Sequence, residues 1–128
     1  MELSFAKLHG LGNDFVFIDD RDRALSLTDA QVSYLCDRHF GIGADGVILV
    51  RPATSEEGDG YMHYINADGT LAQMCGNGVR CFAKYLVDRE LADVASGHLL
   101  ADTLAGPRPI AFSVDAGGKM TEATVNMG

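Results

Sequence analysis

At 128 residues, 47 % of them hydrophobic, the chain is sized for one compact domain with an ordinary core and leaves no room for a second complete one. Ten Lys and Arg against eighteen Asp and Glu give a formal charge of −8 with no basic cluster, which argues against a nucleic-acid partner. No apolar stretch approaches the roughly 20 residues of a spanning helix, and Met1 to Lys7 lacks the charged and apolar blocks of a signal peptide; no membrane partner is expected, and the cytoplasm is the expected compartment. Three cysteines, an odd number without zinc-type spacing, point to reduced thiols rather than disulfides or a structural metal site.

In chain order, Leu3 to Leu8 and Phe15 to Asp19 read as strands, short and rich in aliphatic, aromatic and β-branched residues. Thr28-Asp29-Ala30-Gln31 is a capping-box pattern, followed by Val32, Leu35 and Cys36 at helical spacing; it predicts a helix ending near His39. Val47 to Arg51 and Tyr61 to Asn66 are the next strands, separated by a solvated loop from Pro52 to Gly60. A second helix starts at about Asn77, because Val79, Phe82, Ala83, Leu86 and Val87 recur on one face while Arg80, Lys84 and Asp88 lie elsewhere on the wheel. Gly97 to Asp102, Pro109 to Val114 and Met120 to Met127 complete the strands, the last two joined by the turn Asp115-Ala116-Gly117-Gly118.

The strongest chemical signal lies between Asn66 and Cys81, where Cys75 stands immediately before the second helix. The positive end of the helix dipole and the unpaired amides of the first turn favour a thiolate there, able to act as a base or nucleophile. Gly76, Asn77 and Gly78 leave those amides unobstructed, so the same helix end can hold a carboxylate. A base beside an anion site suits proton removal next to a carboxylate, whereas the plain alternative is a buried cysteine beside a glycine turn. Cys36 shares the apolar face of the first helix with Val32 and Leu35, which suits the core. Cys81, six residues after Cys75, lies about 240° around the helix from it and is read as structural.

Gly41-Ile42-Gly43-Ala44-Asp45-Gly46 matches the glycine spacing of a dinucleotide loop, but a helix precedes it and a strand follows, the reverse of what that fingerprint needs. A Schellman-type helix stop and a tight loop are expected instead. In Gly10-Leu11-Gly12-Asn13-Asp14, read as a strand-to-strand loop, Asn13 either binds a ligand or only stabilises its turn. Histidines 9, 39, 63 and 98 show no ligand spacing.

Three blocks in order, Lys7 to Phe15, Cys36 to Gly46, and Asn66 to Gly69 continuing through Met74 to Cys81, resemble diaminopimelate epimerase, and the resemblance runs nearly the whole chain. It implies an α+β fold: a curved mixed β-sheet wrapped around a central α-helix, here the helix from Asn77, forming one half of a pseudo-symmetric two-domain protein. Residues 1–116 would be the N-terminal domain and 117–128 the first strand leading into a C-terminal half that the chain does not contain. The activity implied is interconversion of LL- and meso-diaminopimelate, a step of lysine and peptidoglycan biosynthesis, using neither pyridoxal phosphate nor metal. One cysteine removes the α-proton while another protonates the opposite face. By the same resemblance Cys75 is the first catalytic cysteine, Asn13 and Asn66 are substrate-binding asparagines, and Gly76 and Asn77 hold the α-carboxylate and related groups. The second cysteine, two further asparagines and an acidic-basic pair belong to the other half. Gly46 departs from members that carry a substrate-contacting glutamine there.

Two other readings compete: another cofactor-independent racemase or isomerase of the same superfold, of the proline racemase or phenazine-biosynthesis type, and a non-catalytic binding domain. A half of this kind is also expected to self-associate as a homodimer, through the Cys75 face or an unpaired sheet edge.

Overall fold

The computed structural model describes residues 5–10, 12–22, 25–72, 75–92 and 95–126. Strands β1 (Phe5–Gly10) and β2 (Asn13–Asp19) form a hairpin closed between Gly10 and Asn13, with Gly12 at φ 93° in its turn. That φ is open to glycine and strained for other residues. Asn13 thus opens a strand instead of lying within a longer loop, and β1 runs on to Gly10 beyond the expected Leu8; Leu3 and Ser4 lie outside the described residues. Helix α1 (Asp29–Cys36) then carries the chain to β3 (Gly46–Arg51), parallel to β2.

The capping box forms as read: Thr28 Oγ1 accepts from Gln31 N at 3.1 Å, and Gln31 Oε1 accepts from Thr28 N at 2.8 Å. The helix stops at Cys36, earlier than near His39. Asp37 leaves the helical region (φ −65°, ψ 126°), and its carboxylate accepts from His39 N and Phe40 N at 2.7 and 3.0 Å. Such a local turn competes with helical bonding. The Schellman expectation also fails, since the cap is extended and the loop folds back so that Ile42 N and Gly43 N both donate to Leu35 O. Gly41 is needed for close approach: a Cβ there would lie 1.8 Å from Tyr34 O.

Strand β4 (Gly60–Asn66) pairs antiparallel with β3; α2 (Gly76–Asp88) crosses to β5 (His98–Thr103), parallel to β4; β6 (Gly106–Val114) and β7 (Met120–Val125) follow as antiparallel neighbours. β6 begins three residues before the expected Pro109. Its pairing with β7 starts only at Ile110, with Asn126 N just past β7 donating to Pro109 O at 2.9 Å, so Pro107 lies on the part of β6 left open, an edge where proline is tolerated. The 115–118 turn forms as read, Asp115 Oδ1 accepting from Gly117 N and Lys119 N. β5 and β7 shift by a residue or two from their expected bounds, and Met127 lies outside the described residues.

Strand order equals chain order in this seven-stranded mixed sheet. Because α2 packs against β1 and β2 as well as β5, β6 and β7, the sheet curls around the helix. Its concave face supplies Phe15, Phe17, Ile48, Val50, Met62, Ile110 and Phe112, which bury Val79, Phe82, Ala83 and Leu86 of α2. The alternate residues of the central strands, among them Val16, Ile18, Val47 and Leu49, face outward and are covered by Val32 and Cys36 of α1. Burial on both faces explains why β3 reads as an unbroken apolar run. Among the described residues no helix is long and apolar enough to cross a membrane.

Candidate active site

Register brings the site together. Phe15 pairs with Gly46 and Gly46 with Asn66, so the start of β2, the start of β3 and the end of β4 share one end of the sheet. The N-terminus of α2 reaches the same place: a Cβ on Gly78 would lie 3.5 to 3.6 Å from Ile48 Cδ1, Phe15 Cζ and Cys75 Cβ. Cys75 is the N-cap, with φ −141° and ψ 124°, and its side chain makes no capping hydrogen bond. Its half-buried thiol is therefore uncommitted, beside first-turn amides that have no partner within the helix.

Asn13 and Asn77, 64 residues apart, are hydrogen-bonded, with Asn77 Nδ2 donating to Asn13 Oδ1 at 2.7 Å. The Asn13 orientation is dictated from its other side. Asp45 can only accept when ionised, so it takes the Asn13 amide Nδ2 at 3.3 Å and leaves Oδ1 for Asn77. Asp45 in turn accepts from Asp14 N at 3.0 Å, and Asp45 N donates to Asp14 Oδ1 at 3.1 Å. Arg38 completes the lattice with a two-point bond to Asp14 at 2.9 and 3.1 Å and a third contact to Asp45 at 3.3 Å. Asn66 stands at the same sheet end, but its side chain donates to Thr70 Oγ1 at 3.1 Å and is not bonded to the Asn13–Asn77 pair.

The Arg38 guanidinium holds the Asp14 carboxyl well below the usual carboxylate range; burial works against it and Lys7, 3.3 Å away, assists. For a lowered carboxyl, the stabilising contribution is full above the unfolded value, near 3.8, and is lost as pH falls towards the folded one. Carbon-detected titration should therefore find Asp14 still ionised at about pH 3, and Arg38→Ala should move its midpoint back towards the ordinary range. An Asp14 that titrates alike with and without Arg38 would contradict the lattice.

The other thiols are buried. Burial pushes Cys81 up to about 11, with the Cys75 charge adding to it, and also raises Cys36. Both fit the structural roles read for them, Cys81 beneath Gly10 of β1 and Cys36 at the end of α1, packed on the outer face of the sheet. Iodoacetamide at neutral pH is expected to label Cys75 first of the three, read by peptide mass mapping; earlier labelling of Cys36 would overturn that order. His63 is half-buried in β4, and burial lowers its pKa, which favours a neutral imidazole. Sequence reasoning did not single out Asp14, Arg38, Asp45 or Tyr64. Arg38 and Asp45 carried a signal in lying between α1 and β3, where a charged residue has no helix face or strand to serve, whereas Asp14 is the second residue of β2 and had none.

A curled mixed sheet around one helix is a fold shared with known racemases and isomerases. The hydroxyproline epimerase from Agrobacterium vitis, with bound trans-4-OH-L-proline, superposes with a TM-score of 0.76 over 96 % of this chain and 40 % of its own, at 14 % identity. The family model for diaminopimelate epimerase matches residues 5–128, and the chain belongs to that family. It is 46 % identical to the diaminopimelate epimerase of Mycobacterium sp. (strain KMS), over 98 % of this chain and 48 % of the relative. It is 48 % identical to that of Thermosynechococcus vestitus, over 100 % of this chain and 43 % of the relative. The chain thus spans about half the length of these relatives.

Proposed function

We propose that this chain supplies one half of an active site that interconverts LL- and meso-2,6-diaminopimelate by cofactor-independent proton transfer, with Cys75 as one of two acid/base thiols. The observation that carries this reading is the uncommitted Cys75 thiol at the N-cap of α2, next to the bonded Asn13–Asn77 pair. In this reading the α-carboxylate docks on the amides of Gly76 and Asn77, where helix N-termini favour anions. Asn13 and Asn66 hydrogen-bond the substrate. The Cys75 thiolate takes the α-proton, the electron pair left on carbon spreads into the docked carboxylate, and a second thiol delivers a proton to the opposite face. In the reverse direction the two sulfurs exchange roles.

The partner thiol is assigned to a second half of the protein, with residues 1–116 as the first domain and 117–128 leading onward. Strand β7 nonetheless packs on this domain, Met120 being in its core. A cytoplasmic location and a homodimer, formed through the Cys75 face or the outer edges of β1 and β7, belong to the same proposal; sedimentation at tens of micromolar showing only monomer would refute the dimer. The test of function is conversion of LL- to meso-diaminopimelate by the full-length gene product, with a chelator present and no added pyridoxal phosphate. Undiminished conversion is expected. Absence of conversion, its loss on adding the chelator, or a requirement for added pyridoxal phosphate would reject the reading.

A further inference from the structure

Tyr64 is buried on the concave face of β4, opposite Ile48, yet its ring meets Gly46 at the sheet end where Cys75 lies. Its ring stands edge-on to Phe15, centroids 5.6 Å apart at 86°. On the other side it lies over Gly46: a Cβ there would fall 2.5 Å from Tyr64 Cε1 and 3.4 Å from Cδ1. Cε1 adjoins the carbon that bears the hydroxyl. The closer approach of Cε1 means that the ring points along the sheet from its own row towards the row of Gly46 and Asn66, the end where Cys75, Asn13 and Asn77 gather. Glycine at 46 is what makes room for it. No hydrogen bond among the described residues engages the hydroxyl, and it is not one of the enclosed polar atoms left without a partner, so the oxygen of this otherwise buried residue is open to a ligand.

We propose that the Tyr64 hydroxyl contacts the bound amino acid, donating a hydrogen bond to an oxygen of its carboxylate beside Cys75. This rests on the proposed function and adds a binding residue to it. Burial raises the phenol's pKa, and the charges of Cys75 and then Asp45 raise it further, so the group stays protonated and acts as a donor across neutral and alkaline pH. The ring's packing against Phe15 and Gly46 fixes the donor in place before substrate arrives, which spares the cost of ordering it on binding.

Tyr64→Phe keeps the ring and its packing and removes only the hydroxyl. In the full-length gene product it is expected to raise KM for diaminopimelate about tenfold and to lower kcat severalfold, because the hydroxyl donates to the same carboxylate into which the electron pair on carbon spreads. Calorimetry of meso-diaminopimelate binding to Cys75→Ala, with and without Tyr64→Phe, is expected to show a matching loss of affinity. The ligand-free rate of Cys75 alkylation should stay unchanged. Unaltered KM and affinity would overturn the proposal, as would a changed alkylation rate without a change in KM, which would assign the hydroxyl to the thiol. Absence of conversion by the unaltered protein would remove the proposed function and this contact with it, whereas normal conversion with Tyr64→Phe indistinguishable from it removes this contact alone.

Discussion

Phe82→Ala is expected to destabilise the protein by about 3–5 kcal/mol, the usual cost of emptying a fully buried aromatic site. Phe82 has no exposed surface and projects from the middle of α2 into the curl of the sheet, where it meets β4 so closely that a Cβ on Gly60 would lie 3.1 Å from its Cζ. The neighbours cannot collapse into the space easily. Phe17, Met62 and Leu86 are held by strands and helix whose own hydrogen bonds fix their spacing. Against a total stability of about 5–15 kcal/mol, such a loss consumes much of what holds a domain together. Urea unfolding followed by far-ultraviolet circular dichroism reads the effect directly. A loss under about 1 kcal/mol would mean that α2 is not the centre of the core.

The heptad-like recurrence of Val79, Phe82, Ala83, Leu86 and Val87 made α2 legible, because a single apolar stripe on a helix has to be buried against something. The capping box did the same for the start of α1, since Thr28 and Gln31 satisfy each other's backbone without help from elsewhere. Its end was not legible: Asp37 chooses a local turn over another helical turn, and Gly41 is required by contact with Tyr34 O, which no local pattern displays. The start of β6 was missed for a related reason. The strand was expected to open at Pro109, and Pro107 can lie within it because the shorter reach of β7 leaves that residue on an open edge.

Part of the site was legible and part was not. Cys75 declared itself by preceding the helix, and Asn77 by standing in its first turn. By residue pattern alone Asn13 stayed open between ligand and turn; the structure adds that it is bonded to Asn77 and oriented by Asp45. The lattice of Asp14, Arg38 and Asp45 joins residues up to 31 positions apart, and such a network has no periodicity to betray it. Tyr64 was hidden because an aromatic residue in a strand already has a sufficient explanation in packing. Only its offset over Gly46 separates it from the surrounding core.

Cys75→Ala is expected to lower the turnover of diaminopimelate by the full-length gene product by a factor on the order of 10³, within the range usual for loss of a positioned acid or base. Folding should be little affected, since the thiol is only half-buried and forms no cap bond that alanine would remove. The proposed carboxylate site on the amides of Gly76 and Asn77 should also persist, because backbone groups would make it. The variant should therefore still bind substrate while failing to move its proton, and KM should change far less than kcat. An equal loss in binding would assign Cys75 to substrate affinity instead of proton transfer.

Incorporation of solvent deuterium at the α-carbon of diaminopimelate, followed by proton NMR in heavy water, reads that proton transfer itself. The full-length gene product should exchange the α-proton of both the LL and meso forms, and Cys75→Ala should abolish the exchange. Exchange that proceeds undiminished in Cys75→Ala would contradict the assignment of Cys75 to proton transfer.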